Sequence, residues 1–431
     1  MKTLAAIILA LGVGFAAAYV VVSKQKDAQL EKLKAQPQVA DVAAPAPAPV
    51  EKVVMISAPA APAEESAQDI LNDLLNVKLG SGSERNTGLR MVVFKLEMLA
   101  QRGKLAVPAI REFIGRNVDV TYSQQDNPNS GSNRGNGGGF GGRGGARRAR
   151  NLQTLQADWV VPPSLRLGLV GTLKEIGGEE SEVAMAEMLS TTGRGVEVAY
   201  LAVMLEEIAP GKYRAAAVSA AKDLLMNPPA IDSPDRLDDL SKSYLYGVLE
   251  YFKDTSFAIN AQQLLVGKDG RLDQDAMDYL ATVMKDQSVS ALYAAYENPA
   301  LTNRFDKMRV GREVLNYVGQ NSQANALFTE TLNNPDLDSR TKAFTIMQMA
   351  GGGFGPFASD SPTDPQVVSS RLGLLNSLLA QPQFANDPML SRVLPPTITA
   401  LQSGQPIKPE DLQGVFGGGR RGGFGGGNGE N

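Results

Sequence analysis

Five arginines, Arg134, Arg143, Arg147, Arg148 and Arg150, stand in a Gly/Asn/Ser stretch with no acid between residues 129 and 151. Two more, Arg420 and Arg421, recur between Phe416 and Phe424 in the C-terminal run VFGGGRRGGFGGGNGEN. Guanidinium groups can grip carboxylates or phosphates with paired donors, and they can lie over aromatic rings. Residues 119–151 carry a net charge of +3 and residues 414–431 a net +1. The formal total is −4, so the remainder of the chain carries −8 and the basic charge is segregated.

Other chemistry has few candidates. The 431 residues include no His and no Cys, which excludes thiolate nucleophiles, Cys/His zinc sites and imidazole relays. Glu179, Glu180, Glu182, Glu206 and Glu207 fall at helix starts or on polar faces, where they complement the helix dipole or face water. Asp269, Asp273 and Asp275 in KDGRLDQDAMD are spaced like the opening of a calcium loop, but position six is not Gly and position twelve is Leu280. The spacing predicts a turn followed by a capped helix. GGGFGG at 137–142 follows no strand and opens no helix, so it is no dinucleotide fingerprint. Lys212, Tyr213 and Arg214 after Pro210-Gly211 read as a helix start whose tyrosine covers the core, and Trp159 as a packing plug. No catalytic residue, metal or cofactor is expected.

The elements that must carry these side chains are helical from Ser66 onward. Ser66-Ala-Gln-Asp69 has the pattern of an N-cap with its reciprocal acid, followed by Ile70, Leu71, Leu74 and Leu75 on one face. A second helix presents Leu89, Val92, Val93, Leu96 and Leu99, and a third, from Pro108, presents Ile110, Phe113 and Ile114. Paired helices follow at Leu165 to Ile176 and Glu179 to Leu189, then at Val196 to Ile208 and Tyr213 to Met226. First helices of successive pairs end at Ile176, Ile208, Phe252, Met284, Val318 and Met349, in steps of 32, 44, 32, 34 and 31 residues. Second helices end at Leu189, Leu225, Leu265, Tyr296 and Leu332, in steps of 36, 40, 31 and 36. Two registers with one beat make a repeat period.

LRLGLVGTLKEIGGEESEVAMAEML (165–189) and EVAYLAVMLEEIAPGKYRAAAVSAAKDLL (197–225) resemble HEAT- and armadillo-type repeats. The resemblance implies an all-α fold, a right-handed solenoid of stacked helix pairs, with a concave surface that binds a protein or peptide. Each helix has four or five large apolar side chains, too few to be stable without neighbours, so stacking is what the fold requires. The Gly/Arg stretches resemble RGG segments of RNA-binding proteins, which implies phosphate contact and base stacking; so few arginines per block make nucleic acid the alternative and not the leading partner.

Leu4 to Val22 is an unbroken apolar run of 19 residues, about 28 Å as a helix, close to the thickness of a bilayer core. An uncleaved anchor is expected; Ala16 and Ala18 form the cleavage pattern of the competing signal peptide. The short N-terminal tail favours a body outside the cytoplasm, although the lysines after the span count the other way. The chain divides into an anchor or signal peptide at 1–22, a charged helix and Pro/Ala-rich linker at 23–65, and the first helices at 66–118. An insertion expected to be disordered follows at 119–151, then repeats at 152–410 and a disordered tail at 411–431. The expected function is a non-catalytic, membrane-tethered scaffold in the bacterial inner membrane with a periplasmic body, or a secreted or periplasmic one after cleavage. Its partner is another protein or peptide. Arg143, Arg147, Arg148, Arg150, Arg420 and Arg421 are the expected partner contacts, and self-association through the Gly/Phe/Arg segments is a further use.

Overall fold

Local chemistry sets where the helices begin. The Ser66 hydroxyl accepts from the Asp69 N–H at 3.2 Å, and the Asp69 carboxylate accepts from the Ser66 N–H at 3.3 Å. This reciprocal cap starts α1 (Ala67–Asn76). The computed structural model describes residues 65–122, 149–155, 161–231, 234, 237–351, 362–407 and 412. The apolar run 4–22, the linker, residues 123–148, Trp159, most of the GGGFGPF run and nearly all of the tail lie outside them. Among the described residues no helix is long and apolar enough to cross a membrane.

The fold is all-α, with no strand among the described residues. After α1 come α2 (Gly82–Gln101) and α3 (Val107–Gly115), the latter with Pro108 in its first turn. α4 (Leu165–Ile176) and α5 (Gly178–Thr191) meet at Gly177 and Gly178, whose φ values of +67° and +84° would strain any other residue. The next elements are α6 (Gly195–Ile208), α7 (Arg214–Met226), α8 (Ser241–Tyr251), α9 (Ala258–Leu264), α10 (Gln274–Met284) and α11 (Val289–Glu297). They are followed by α12 (Arg304–Leu315), α13 (Ser322–Asn333), α14 (Ser339–Gln348), α15 (Pro365–Leu379), α16 (Pro382–Ala385) and α17 (Leu390–Ser403). Ser164, Asp273, Asn303, Asn321, Asp338 and Asp364 each cap a helix by accepting from a first-turn N–H. Asp273 thus heads a capped helix after a turn, as its spacing predicts.

Helix ends keep the beat read from the sequence, and so do the contacts. α4 packs on α6, α6 on α8 and α8 on α10, while α3 packs on α5 and α5 on α7. Side-chain ties recur at the same separation. Arg166 reaches Glu197 over 31 residues, Tyr213 reaches Glu182 over 31, and Ser243 reaches Asp275 over 32. Farther along, Tyr317 reaches the Ala281 carbonyl over 36 residues and Gln348 the Arg312 carbonyl over 36. The C-terminal helices depart from this order, since α17 packs against both α14 and α15.

α6 and α8 are not amphipathic. Every residue from Gly195 to Leu205 and from Ser243 to Leu249 is buried, so a layer besides the paired second helices must cover them. Residues 149–155 supply it. Ala149, Leu152 and Leu155 are buried, and the single turn Leu152–Thr154 packs on α6 and α8. The sequence reading placed 119–122 and 149–151 in a disordered insertion. In the structure both ends are packed, because a few anchoring side chains overcome the Gly/Asn/Ser composition that surrounds them. At the leading end, the Tyr122 N–H donates to the Pro163 carbonyl at 2.7 Å and the Leu165 N–H to the Val120 carbonyl at 2.9 Å. The buried Tyr122 hydroxyl donates to the Leu74 carbonyl at 3.2 Å.

Candidate functional site

The strap Ala149-Arg150-Asn151-Leu152 crosses α8 where the helix has no side chain. A Cβ at Gly247 would stand 2.8 Å from the Arg150 carbonyl oxygen and 2.9 Å from its Cα, so only glycine lets the two backbones lie this close. Arg150 then enters a pocket walled by α8 and α10. Its side chain is 9% exposed; Nη2 donates to the Asp278 carboxylate, and Nη1 lies 3.7 Å from Asp275 Oδ1. Glu250, one helical turn beyond Gly247, adds a third carboxylate that acts on Arg150 through its charge. Ser243 donates its hydroxyl to Asp275, with oxygens at 3.0 and 2.9 Å. Asp278, 37% exposed, forms the mouth.

The pocket is not saturated. Arg150 Nη1, Glu250 Oε1 and the hydroxyl of the fully buried Tyr246 have no hydrogen-bond partner. A neighbouring ionic network makes the contrast. Arg166, 3% exposed, donates Nε and Nη2 to Glu197 at 2.8 and 3.0 Å and Nη1 to the Ile114 carbonyl at 2.8 Å. The Thr192 hydroxyl donates to the same carboxylate at 2.5 Å. Arg194 bridges Asp238, at 3.1 and 2.9 Å, and Asp119, at 2.8 Å. That network is closed and fastens α3, α4 and α6 together; the Arg150 pocket retains spare donors and acceptors.

Burial, reinforced by the charges of Asp278 and Asp275 and opposed by Arg150, pushes the Glu250 carboxyl up to about 7. Burial likewise raises Asp275, despite the guanidinium and the Ser243 hydroxyl. The folded chain therefore retains a proton at Glu250 that the unfolded chain releases near the ordinary value of 4.5. Stability from this group is fully present below that value, falls as pH rises toward 7 and stays lost above it. Glu250→Gln should accordingly flatten the pH dependence of denaturant stability between about 5 and 7. Above pH 7 the variant should exceed the parent by on the order of 2 kcal/mol. A parallel pair of stability curves would contradict this assignment.

Of the arginines in the two Gly-rich segments, only Arg150 lies among the described residues, and it faces inward onto acids. Arg143, Arg147, Arg148, Arg420 and Arg421 lie outside them. Glu250, Asp278 and Gly247 escaped the sequence reading. Part of their signal was present: Ser243, Gly247 and Glu250 share one stripe of α8, four and three residues apart. At the Lys212–Tyr213 corner, the Tyr213 hydroxyl donates to Glu182 at 2.7 Å and the ring packs on the core, as expected for a tyrosine that closes a helix start. Among the described residues no three carboxylates are arranged to hold a metal ion. The pocket's chemistry is guanidinium recognition and proton uptake. No family model, curated protein or solved structure matches this chain.

Proposed function

We propose that the chain is a non-catalytic, membrane-tethered scaffold of the bacterial envelope, its body a solenoid of stacked helix pairs that binds another protein or peptide. The observation that carries this reading is the series of side-chain ties at 31 to 36 residues, such as Arg166–Glu197, Ser243–Asp275 and Tyr317–Ala281. Each joins one helix pair to the next, the pattern of a fold whose units depend on their sequence neighbours. Such a fold offers extended edges to partners instead of an enclosed catalytic cleft. The grooves of this body are open, with lining such as Val107, Pro108, Glu179 and Val183 between α3 and α5. The apolar run from Leu4 to Val22 and the Ala/Pro linker support the tether, with the body on the periplasmic side.

Protease added to cells whose outer membrane has been permeabilised should digest the body while a cytoplasmic marker survives. Digestion that requires rupture of the inner membrane would place the body in the cytoplasm and overturn the envelope assignment.

A further inference from the structure

The groove over α6, α8 and α10 displays its own ligand chemistry through the segment seated in it. A small residue, Ala149, begins the strap, whose backbone lies against Gly247. Arginine 150 enters an acidic pocket, and leucines two and five positions on are buried. The seat is nonetheless imperfect. Three acidic side chains face one guanidinium, while Glu250 Oε1, the Tyr246 hydroxyl, on a side chain with no exposure, and Arg150 Nη1, 3.7 Å from Asp275, make no hydrogen bond. Buried polar atoms without partners cost free energy, so an occupant with more donors than Arg150 gains where the strap does not.

We infer that this groove is the docking site for an arginine-bearing peptide segment of a partner protein, seated in the turn-like course of residues 149–155, and that those residues are its resident occupant, displaced when the partner binds. The inference rests on the scaffold reading and supplies its partner surface. The partner must present a small residue, an arginine and following leucine-like side chains, since ejecting the strap re-exposes Leu152 and Leu155 and equal apolar area has to replace them. A second basic group beside the arginine would satisfy Glu250. Displacement leaves the helices joined, because the bonds Tyr122–Pro163 and Leu165–Val120 close the excursion at its base without the strap. Being tethered at both ends, the strap competes at high effective concentration, so the intact chain should bind such peptides weakly.

The test uses the purified full-length chain in detergent micelles and a fluorescent peptide of residues 145–158, GARRARNLQTLQAD. Binding is read by anisotropy to the parent, to Arg150→Gln, and to a variant in which 149–155 is replaced by Gly/Ser of equal length. Both variants should bind the peptide about tenfold or more tighter than the parent. Binding should fall about tenfold when the peptide arginine equivalent to Arg150 becomes Gln, and similarly when Asp278→Asn is added to the protein. The inference is overturned if cooperatively folded variants bind no better than the parent, or if binding ignores the peptide arginine or Asp278. Should the Gly/Ser replacement fail to fold, Arg150→Gln decides. Because this measurement is made on purified protein, its outcome is independent of the protease result: a cytoplasmic body would retire the location and leave the groove standing, and the reverse also holds.

Discussion

Replacing Arg371 with Met should lower the stability of the helical body by about 3–5 kcal/mol. Arg371 lies in α15 and is 4% exposed. Its Nε donates to the Val318 carbonyl at 2.7 Å, Nη1 to the Met349 carbonyl at 2.6 Å and Nη2 to the Asn316 carbonyl at 2.7 Å. Those carbonyls belong to the chain just beyond α12 and α14, where each helix presents the negative end of its dipole and unpaired acceptors. One planar fork thus closes two helix ends at once. Desolvation lowers its pKa to about 10, which still leaves it charged at any physiological pH. Methionine would fill the volume and leave three buried acceptors unpaired. Lysine cannot reproduce the fork, so Arg371→Lys should recover less than half of the loss. Urea titration monitored by circular dichroism reads both variants, and a loss below about 1 kcal/mol would mean that water replaces the guanidinium at no cost.

Glu197→Ala should be comparably severe, at about 3–5 kcal/mol, for a different reason. It strands the Arg166 charge in a site where both partners are almost wholly buried, 3% and 1% exposed. Removing the pair together, Arg166→Met with Glu197→Leu, should restore most of the stability, because the desolvation of both ions disappears along with their attraction. The double-mutant cycle should give a coupling of at least about 2 kcal/mol. Additive losses would show that the Ile114 carbonyl, and not the carboxylate, holds Arg166 in place.

Helix positions were legible because their determinants are local. The Ser66 cap, the Gly177-Gly178 break and the apolar stripes lie within a few residues of the elements they define. What joins the elements was partly legible: a beat in the low thirties anticipates that Arg166 meets Glu197 one repeat away. The two buried arginines that depart from the beat were not legible. Arg150 finds Asp278 across 128 residues, and Arg371 finds carbonyls 22, 53 and 55 residues back. Main-chain acceptors leave no mark in a sequence, and a glycine-rich neighbourhood hides a single anchored arginine. The apolar run from Val198 to Leu205 in α6 was the available clue, since a stretch greasy on every side needs cover on every side.

The two main-chain bonds that pair Val120–Tyr122 with Pro163–Leu165 join the end of α3 to the start of α4 directly, so of the chain between them it is the strap 149–155, buried on α6 and α8, that the helices need. A crosslink of this kind behaves like a socket: reporter domains, affinity handles or longer glycine tracts should be accepted between Tyr122 and Ala149 while α3 still hands the chain directly to α4. The molecule thus separates what must be kept to stay folded from what is free to be rewritten.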